Sequence, residues 1–317
     1  MTKSINLFFP LRWGAICIIL SLLMQGCFTG IENTGHISEK DVSKVKADRK
    51  SPEELFMDSI VPFGFRQWKP GKRFYVNDNN IRLILTPSEN YNLDSLNLKG
   101  DTLIYIGYRF VRQIDNKEDI AIRFSDGKRE YIYDTGKTID AIENERPEYI
   151  APFLTDLDFV AEAKRHLVGK RLFIKTPLWQ DSTGRSVKGR HYVPVLIDDV
   201  TAGDVVYPFR VVFDYDGKKS CVYMSSQSSS VKNMTFDKLF SLSDIRANYK
   251  VITDSNWESI TRGKIVANMT KEECSLALGA PRTIDRMGTH GGMYERWSYD
   301  NGVFLIFDNG ILVQFRQ

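Results

Sequence analysis

The chain has 317 residues, with 43 Lys and Arg against 40 Asp and Glu, 42% hydrophobic residues and 12% aromatics. A formal charge of +3 falls short of a nucleic-acid-binding footprint, and the apolar fraction excludes a disordered or fibrous class. This length allows a sizeable core divided among two or three domains.

Residues 1–12 carry Lys3 and Arg12 and no acid, residues 13–24 are apolar apart from one Ser, and the small Gly26 precedes Cys27. That is the layout of an export signal. The apolar run is shorter than the ~20 residues a helix needs to cross a bilayer, and the chain turns polar directly after Phe28. Removing residues 1–26 leaves 41 basic and 40 acidic residues. The segment Met24-Gln25-Gly26-Cys27 resembles the lipobox of bacterial lipoproteins, with Gln25 where that family usually has a small residue. The resemblance implies a signal peptide over residues 1–26 and a lipid on the Cys27 thiol. Each buried acyl CH₂ contributes about 0.8 kcal/mol to anchoring. The alternative is an ordinary secretory signal cleaved nearby, with Cys27 incidental. Residues 27–50 read as a flexible tether.

Folding is predicted to begin at Ser51, where Ser51, Pro52 and Glu54 form a capping-box pattern. An internal duplication follows. Gly71-Lys72-Arg73 returns as Gly169-Lys170-Arg171, Lys99-Gly100 as Lys188-Gly189, and Asp126-Gly127-Lys128 with Tyr133 as Asp216-Gly217-Lys218 with Tyr223. A helix is expected before each first anchor, the second capped by Thr155. Segments 102–110, 120–125 and 129–133, then 171–176, 209–215 and 220–225, read as β-strands, with the Asp-Gly pairs as tight hairpins. Two small antiparallel β modules, SH3-like barrels at their simplest, are expected over residues 51–150 and 151–230. The shared Gly-Lys-Arg is read as a turn followed by solvated charges on a strand edge.

After the Ser-rich stretch at 225–230, residues 231–317 read as helices followed by an antiparallel meander, a two-layer α+β domain. Thr235 and Asp254 open two helices. Thr270 and Glu273 make a capping box for a third, whose apolar face is Cys274, Ala277 and Leu278 and whose stop is Gly279. The sequons at Asn233 and Asn268 are better explained by capping threonines. Met269-Thr270, Leu278-Gly279-Ala280-Pro281, Trp297-Ser298-Tyr299 and Asp308-Asn309-Gly310 resemble the SmpA/OmlA (BamE-like) lipoprotein domain over residues 254–317, related in fold to β-lactamase inhibitor protein. Asn268 stands where that family usually has Gly. The resemblance implies a non-enzymatic binding role in outer-membrane protein assembly and names no binding residue.

Little chemistry stands out elsewhere. Cys221 and Cys274 remain as the thiols of the folded body, and both a disulfide and two free thiols are open. His36, His166, His191 and His290 lack ligand spacing, so neither a metal nor a cofactor is expected. Asp156/Asp158 and Asp198/Asp199 read as helix-start and turn charges, and no nucleophile–base–acid order suits an enzyme. The expected protein is lipid-anchored at the outer membrane, faces the periplasm and binds envelope proteins rather than nucleic acid. The alternative is a binder of cell-wall glycan or peptide through the β modules, favoured if Trp68 or Trp179 is exposed in a groove.

Overall fold

Ser51 caps helix α1 (Pro52–Met57) in the computed structural model, which describes residues 50–88, 97–112, 117–226, 233–289 and 292–317. Cys27 and residues 1–49 lie outside the described residues. The first sheet comprises β1 (Arg73–Val76), β2 (Leu85–Pro87), β3 (Thr102–Arg112), β4 (Glu118–Ser125), β5 (Glu130–Asp134) and β6 (Leu154–Asp156), in the order β2-β5-β4-β3-β1-β6. Between β5 and β6 lie α2 (Ile139–Glu143) and α3 (Pro147–Ile150), and α4 (Leu157–Leu167) follows β6. The second sheet comprises β7 (Arg171–Ile174), β8 (Leu178–Asp181), β9 (Ser186–Lys188), β10 (Val193–Ala202), β11 (Phe209–Tyr215), β12 (Lys218–Met224) and, after α5 (Phe236–Leu239), β13 (Phe240–Ser241). Its order is β13-β7-β10-β11-β12-β8-β9. All the pairings are antiparallel, and with the helices they give an α+β architecture.

The two sheets follow the same chain order from β6 through β1 to β2 and from β13 through β7 to β8. Gly71 N–H donates to the Tyr105 carbonyl at 2.8 Å, and Gly169 N–H donates to that of Ile197 at 2.9 Å. Each long strand then carries a bulge, between Tyr105 and Gly107 and between Ile197 and Asp199. The other two sequence anchors do not fall on matching positions. Gly100 N–H donates to Val76 and Tyr192 N–H donates to Ile174, so the counterpart of Gly100 is Tyr192, three residues beyond Gly189. In the hairpins Ser125 pairs with Glu130 and Asp214 with Lys219, which matches Tyr133 to Val222 rather than Tyr223. The repeated Asp-Gly is one residue out of step. Gly127 and Gly217 nevertheless both have positive φ, 88° and 74°.

Burial accounts for further departures. Met57 and Ile60 pack into the core of the second sheet, with Phe159, Leu239 and Phe236, so α1 belongs with that sheet and not with residues 61–150. The helix cap before Gly169 is Asp156, whose carboxylate accepts from the N–H groups of Asp158 and Phe159, while Thr155 sits in β6. Lys72 is not a solvated strand-edge charge: it is buried, 2.7 Å from Asp156 and 3.1 Å from Asp158. Asp198 and Asp199 lie in β10 at its bulge and pair with Lys219 and Lys164 rather than marking a turn.

The C-terminal part has α6 (Asp254–Thr261), α7 (Lys271–Leu278) and a meander of β14 (Thr283–Thr289), β15 (Gly292–Ser298), β16 (Phe304–Asp308) and β17 (Ile311–Arg316), in that order. Thr253, not Asp254, caps α6. Thr235 caps α5 by backbone only, its hydroxyl donating to Asp237. Thr270 and Glu273 close a capping box on α7. Cys274, Ala277, Trp257 and Trp297 share a core with Leu305 and Phe307, and Leu278 is only partly buried at its edge. Cys221 and Cys274 are buried free thiols in separate environments.

This part is held against the second sheet by residues 190–192. His191 N–H donates to the Thr261 carbonyl at 3.0 Å, its ring nitrogen donates to the Ile260 carbonyl, and Tyr192 packs near Trp257. Tyr192 takes φ 58° to do so, in the left-handed region that bulky residues rarely enter.

Candidate functional site

Between the first two sheets lies a cleft of about 470 Å³, within the range of ligand pockets. Its floor begins with β1, whose alternation sends Phe74 and Val76 inward, and Trp68 packs at a tilt against Phe74 with ring centroids 4.7 Å apart. One wall is residues 151–156. Phe153 holds φ 65°, a strained value for an aromatic residue, and its carbonyl accepts from the Asn77 N–H at 2.9 Å. The Asn77 side-chain amide donates to Thr155 Oγ1 at 2.7 Å, leaving Asn77 Oδ1 buried and without a partner.

The opposite wall is the loop between β10 and β11. Gly203 is required there, since a Cβ would come within 2.0 Å of the Tyr207 carbonyl oxygen. Asp204 Oδ1 accepts from the N–H groups of Val206 and Tyr207 at 2.9 and 2.8 Å, which pins the turn and leaves Val205 and Val206 each 51% exposed at the rim. Phe63 and Tyr149 are about as exposed across the opening. Contiguous exposed apolar side chains of this kind mark binding surfaces.

Electrostatically the opening is acidic. Asp156 and Asp204 line it, and among the described lining residues there is no Lys, Arg or His. The nearby Lys72 Nζ is already occupied by Asp156 and Asp158 and lies over the rings of Phe63 and Phe74 at 5.4 and 5.6 Å.

Of the aromatic residues singled out in the sequence, Trp68 forms part of the cleft wall but is buried, and Trp179 packs in the second core against Phe213. Neither is an exposed platform for a sugar ring. The cleft-facing residues the sequence did not announce are Phe63, Tyr149, Val205 and Val206. The only local signal was the tight Gly203-Asp204 turn.

Sequence order also conceals Ser59, His166 and Glu162. Ser59 Oγ lies 3.4 Å from His166 Nε2, and Glu162 Oε1 lies 3.3 Å from Nδ1. Glu162 is shared with Arg165, the Glu162 carbonyl also lies 3.1 Å from Nδ1, and none of the three lines the cleft. They have the character of a helix-surface cluster. Among the described residues no group of three His, Cys, Asp or Glu is arranged to hold a metal, and no helix is long and apolar enough to cross a membrane.

No protein-family model matches the chain, and no curated protein matches it.

Proposed function

We propose that this is a non-enzymatic lipoprotein of the cell envelope, anchored in the outer membrane through a lipid on Cys27 and facing the periplasm, where it binds other envelope proteins. The observation that carries the binding role is the cleft with its half-exposed apolar rim of Phe63, Val205 and Val206. The lipobox-like run ending at Cys27 and the SmpA/OmlA-like residues of 254–317 support anchoring and an assembly role. The two β sheets are read as copies of one SH3-like module, supported by the common strand order and the matching bulges. In this reading α1, although it precedes the first copy in sequence, completes the second.

The competing reading, a binder of cell-wall glycan, loses support because Trp68 and Trp179 are buried. One measurement tests the anchor and a second separates the two readings. Incorporation of a fatty-acid analogue is expected for the wild type and absent in Cys27→Ala; equal labelling of both removes the anchor. The protein is expected to copurify with proteins from detergent-solubilised membranes and not to sediment with isolated cell wall. The opposite partition would replace protein binding with wall binding.

A further inference from the structure

The second sheet shows how the corresponding face of the first could be covered. There the edge strand β13 lies under α1. Glu53 Oε1 accepts from Ser241 Oγ at 3.2 Å and from Leu242 N–H at 3.1 Å, Phe56 packs on Phe236 with ring centroids 5.2 Å apart, and Met57 is fully inside. Strand pairing sets Leu154 and Thr155 of β6 at the positions of Phe240 and Ser241, since Leu154 pairs with Val76 and Phe240 with Ile174. Lys170 lies 5.5 Å from the Phe56 ring as its counterpart Lys72 lies 5.4 Å from that of Phe63. On the first sheet Pro62 and Phe63 reach this place, and the cleft opens beside them over residues 151–156.

We propose that the cleft docks a short amphipathic helix of another envelope protein. The helix would insert aromatic or long aliphatic side chains between Phe153, Trp68 and Val206 and direct a basic side chain to Asp156 and Asp204. The mode is that of a helix laying its apolar face into a groove. The apolar requirement follows from the lining. The basic requirement follows from Asp204 on one wall and from Asp156 and Asp158 sharing the single cation Lys72 on the other, which leaves the opening with an excess of negative charge. Charge also argues against α1 of a second copy as the occupant, because Glu53, Glu54 and Asp58 would face Asp156 and Asp204. This inference rests on the protein-binding reading above and specifies its partner.

The test uses the full chain purified in detergent and a fluorescent peptide of residues 51–61, end-blocked and carrying Glu53→Lys, Glu54→Lys and Asp58→Lys, followed by anisotropy. Saturable binding is expected. It should weaken about tenfold in Val206→Lys, which places a like charge at the rim, and by a smaller factor in Asp204→Asn, which keeps an acceptor for the turn. Leu83→Lys, at an exposed site that does not line the cleft, should leave binding unchanged. The peptide with its native acidic residues, and the basic peptide with Leu55→Pro, should not bind. No saturable binding, equal binding of acidic and basic peptides, or indifference to Val206→Lys overturns the proposal. Full binding by the Leu55→Pro peptide overturns the helical mode in favour of strand addition. If the peptide fails while envelope proteins still copurify, the cleft loses this role and the wider reading stands. Peptide binding without copurification would keep the cleft's specificity and remove the envelope partner.

Discussion

Asn268 shows how far a single residue can be read. Its φ of 68° is left-handed, and its N–H donates to the Leu312 carbonyl at 3.0 Å, joining the start of α7 to β17. Asn is among the few residues that enter this region at low cost. Asn268→Val is therefore expected to lose about 1–2 kcal/mol and Asn268→Gly to lose nothing, measured by urea unfolding. Equal losses would mean that the Asn side chain, not the backbone, matters. Tyr192 occupies the same region, and nothing in its sequence signals it, because an aromatic residue adopts that conformation only when surrounding contacts impose it. Its neighbour His191 gives a pH prediction. Burial lowers the imidazole pKa from 6.5, its accepting partner being the Ile260 carbonyl, with Arg190 and Glu258 also at this junction. The unfolded chain then binds the proton more readily, so stability is complete above pH 6.5 and falls as pH drops below it. His191→Gln should flatten that part of the stability curve. An unchanged acid slope would place the titration elsewhere.

At the level of elements, the two capping boxes and the strand alternation were readable, whereas the single-residue caps and the register were not. Ser51/Glu54 and Thr270/Glu273 form the boxes that their spacing predicts. Glu273 does more than cap, since its Oε1 also accepts from Asn256 Nδ2 of α6 at 2.7 Å. Thr270→Ala should cost about 1 kcal/mol, and Glu273→Ala more than that, because it also unlinks the two helices. Equal costs in thermal unfolding would show the link to be idle. The strand β10 escaped prediction because Pro194 and the paired Asp198-Asp199 interrupt its alternation; the bulge absorbs Asp198, and Asp199 resumes the pairing opposite Val212. Repeated Asp-Gly pairs misled by one residue, since a hairpin's turn can shift within a fixed pairing. The placement of α1 was also hidden, because no local pattern states which of two cores a helix joins. Met57→Ala is expected to cost about 2–5 kcal/mol and to raise hydrogen exchange in β7, β10 and β11 while sparing β3 and β4. Loss of protection confined to β3 and β4 would return α1 to the first sheet.

At the scale of the molecule, the described residues form three cores, and the cleft lies where the elements of the first two approach. Such a site is assembled from positions as distant as Phe63, Phe153 and Val206, each unremarkable in its own segment. The sequence therefore carried the α+β class but not the position of the cleft. Envelope proteins are proposed to attach at the cleft. Site-specific photo-crosslinking in intact cells tests it most directly, with the reactive residue placed at Val206 on the rim and, as a reference, at Leu83. Defined protein adducts are expected from Val206, none from Leu83, and the Val206 adducts should be lost when Asp204→Asn and Phe63→Asp are combined. Equal adducts from both positions, or adducts from Val206 that persist in the double variant, would contradict it.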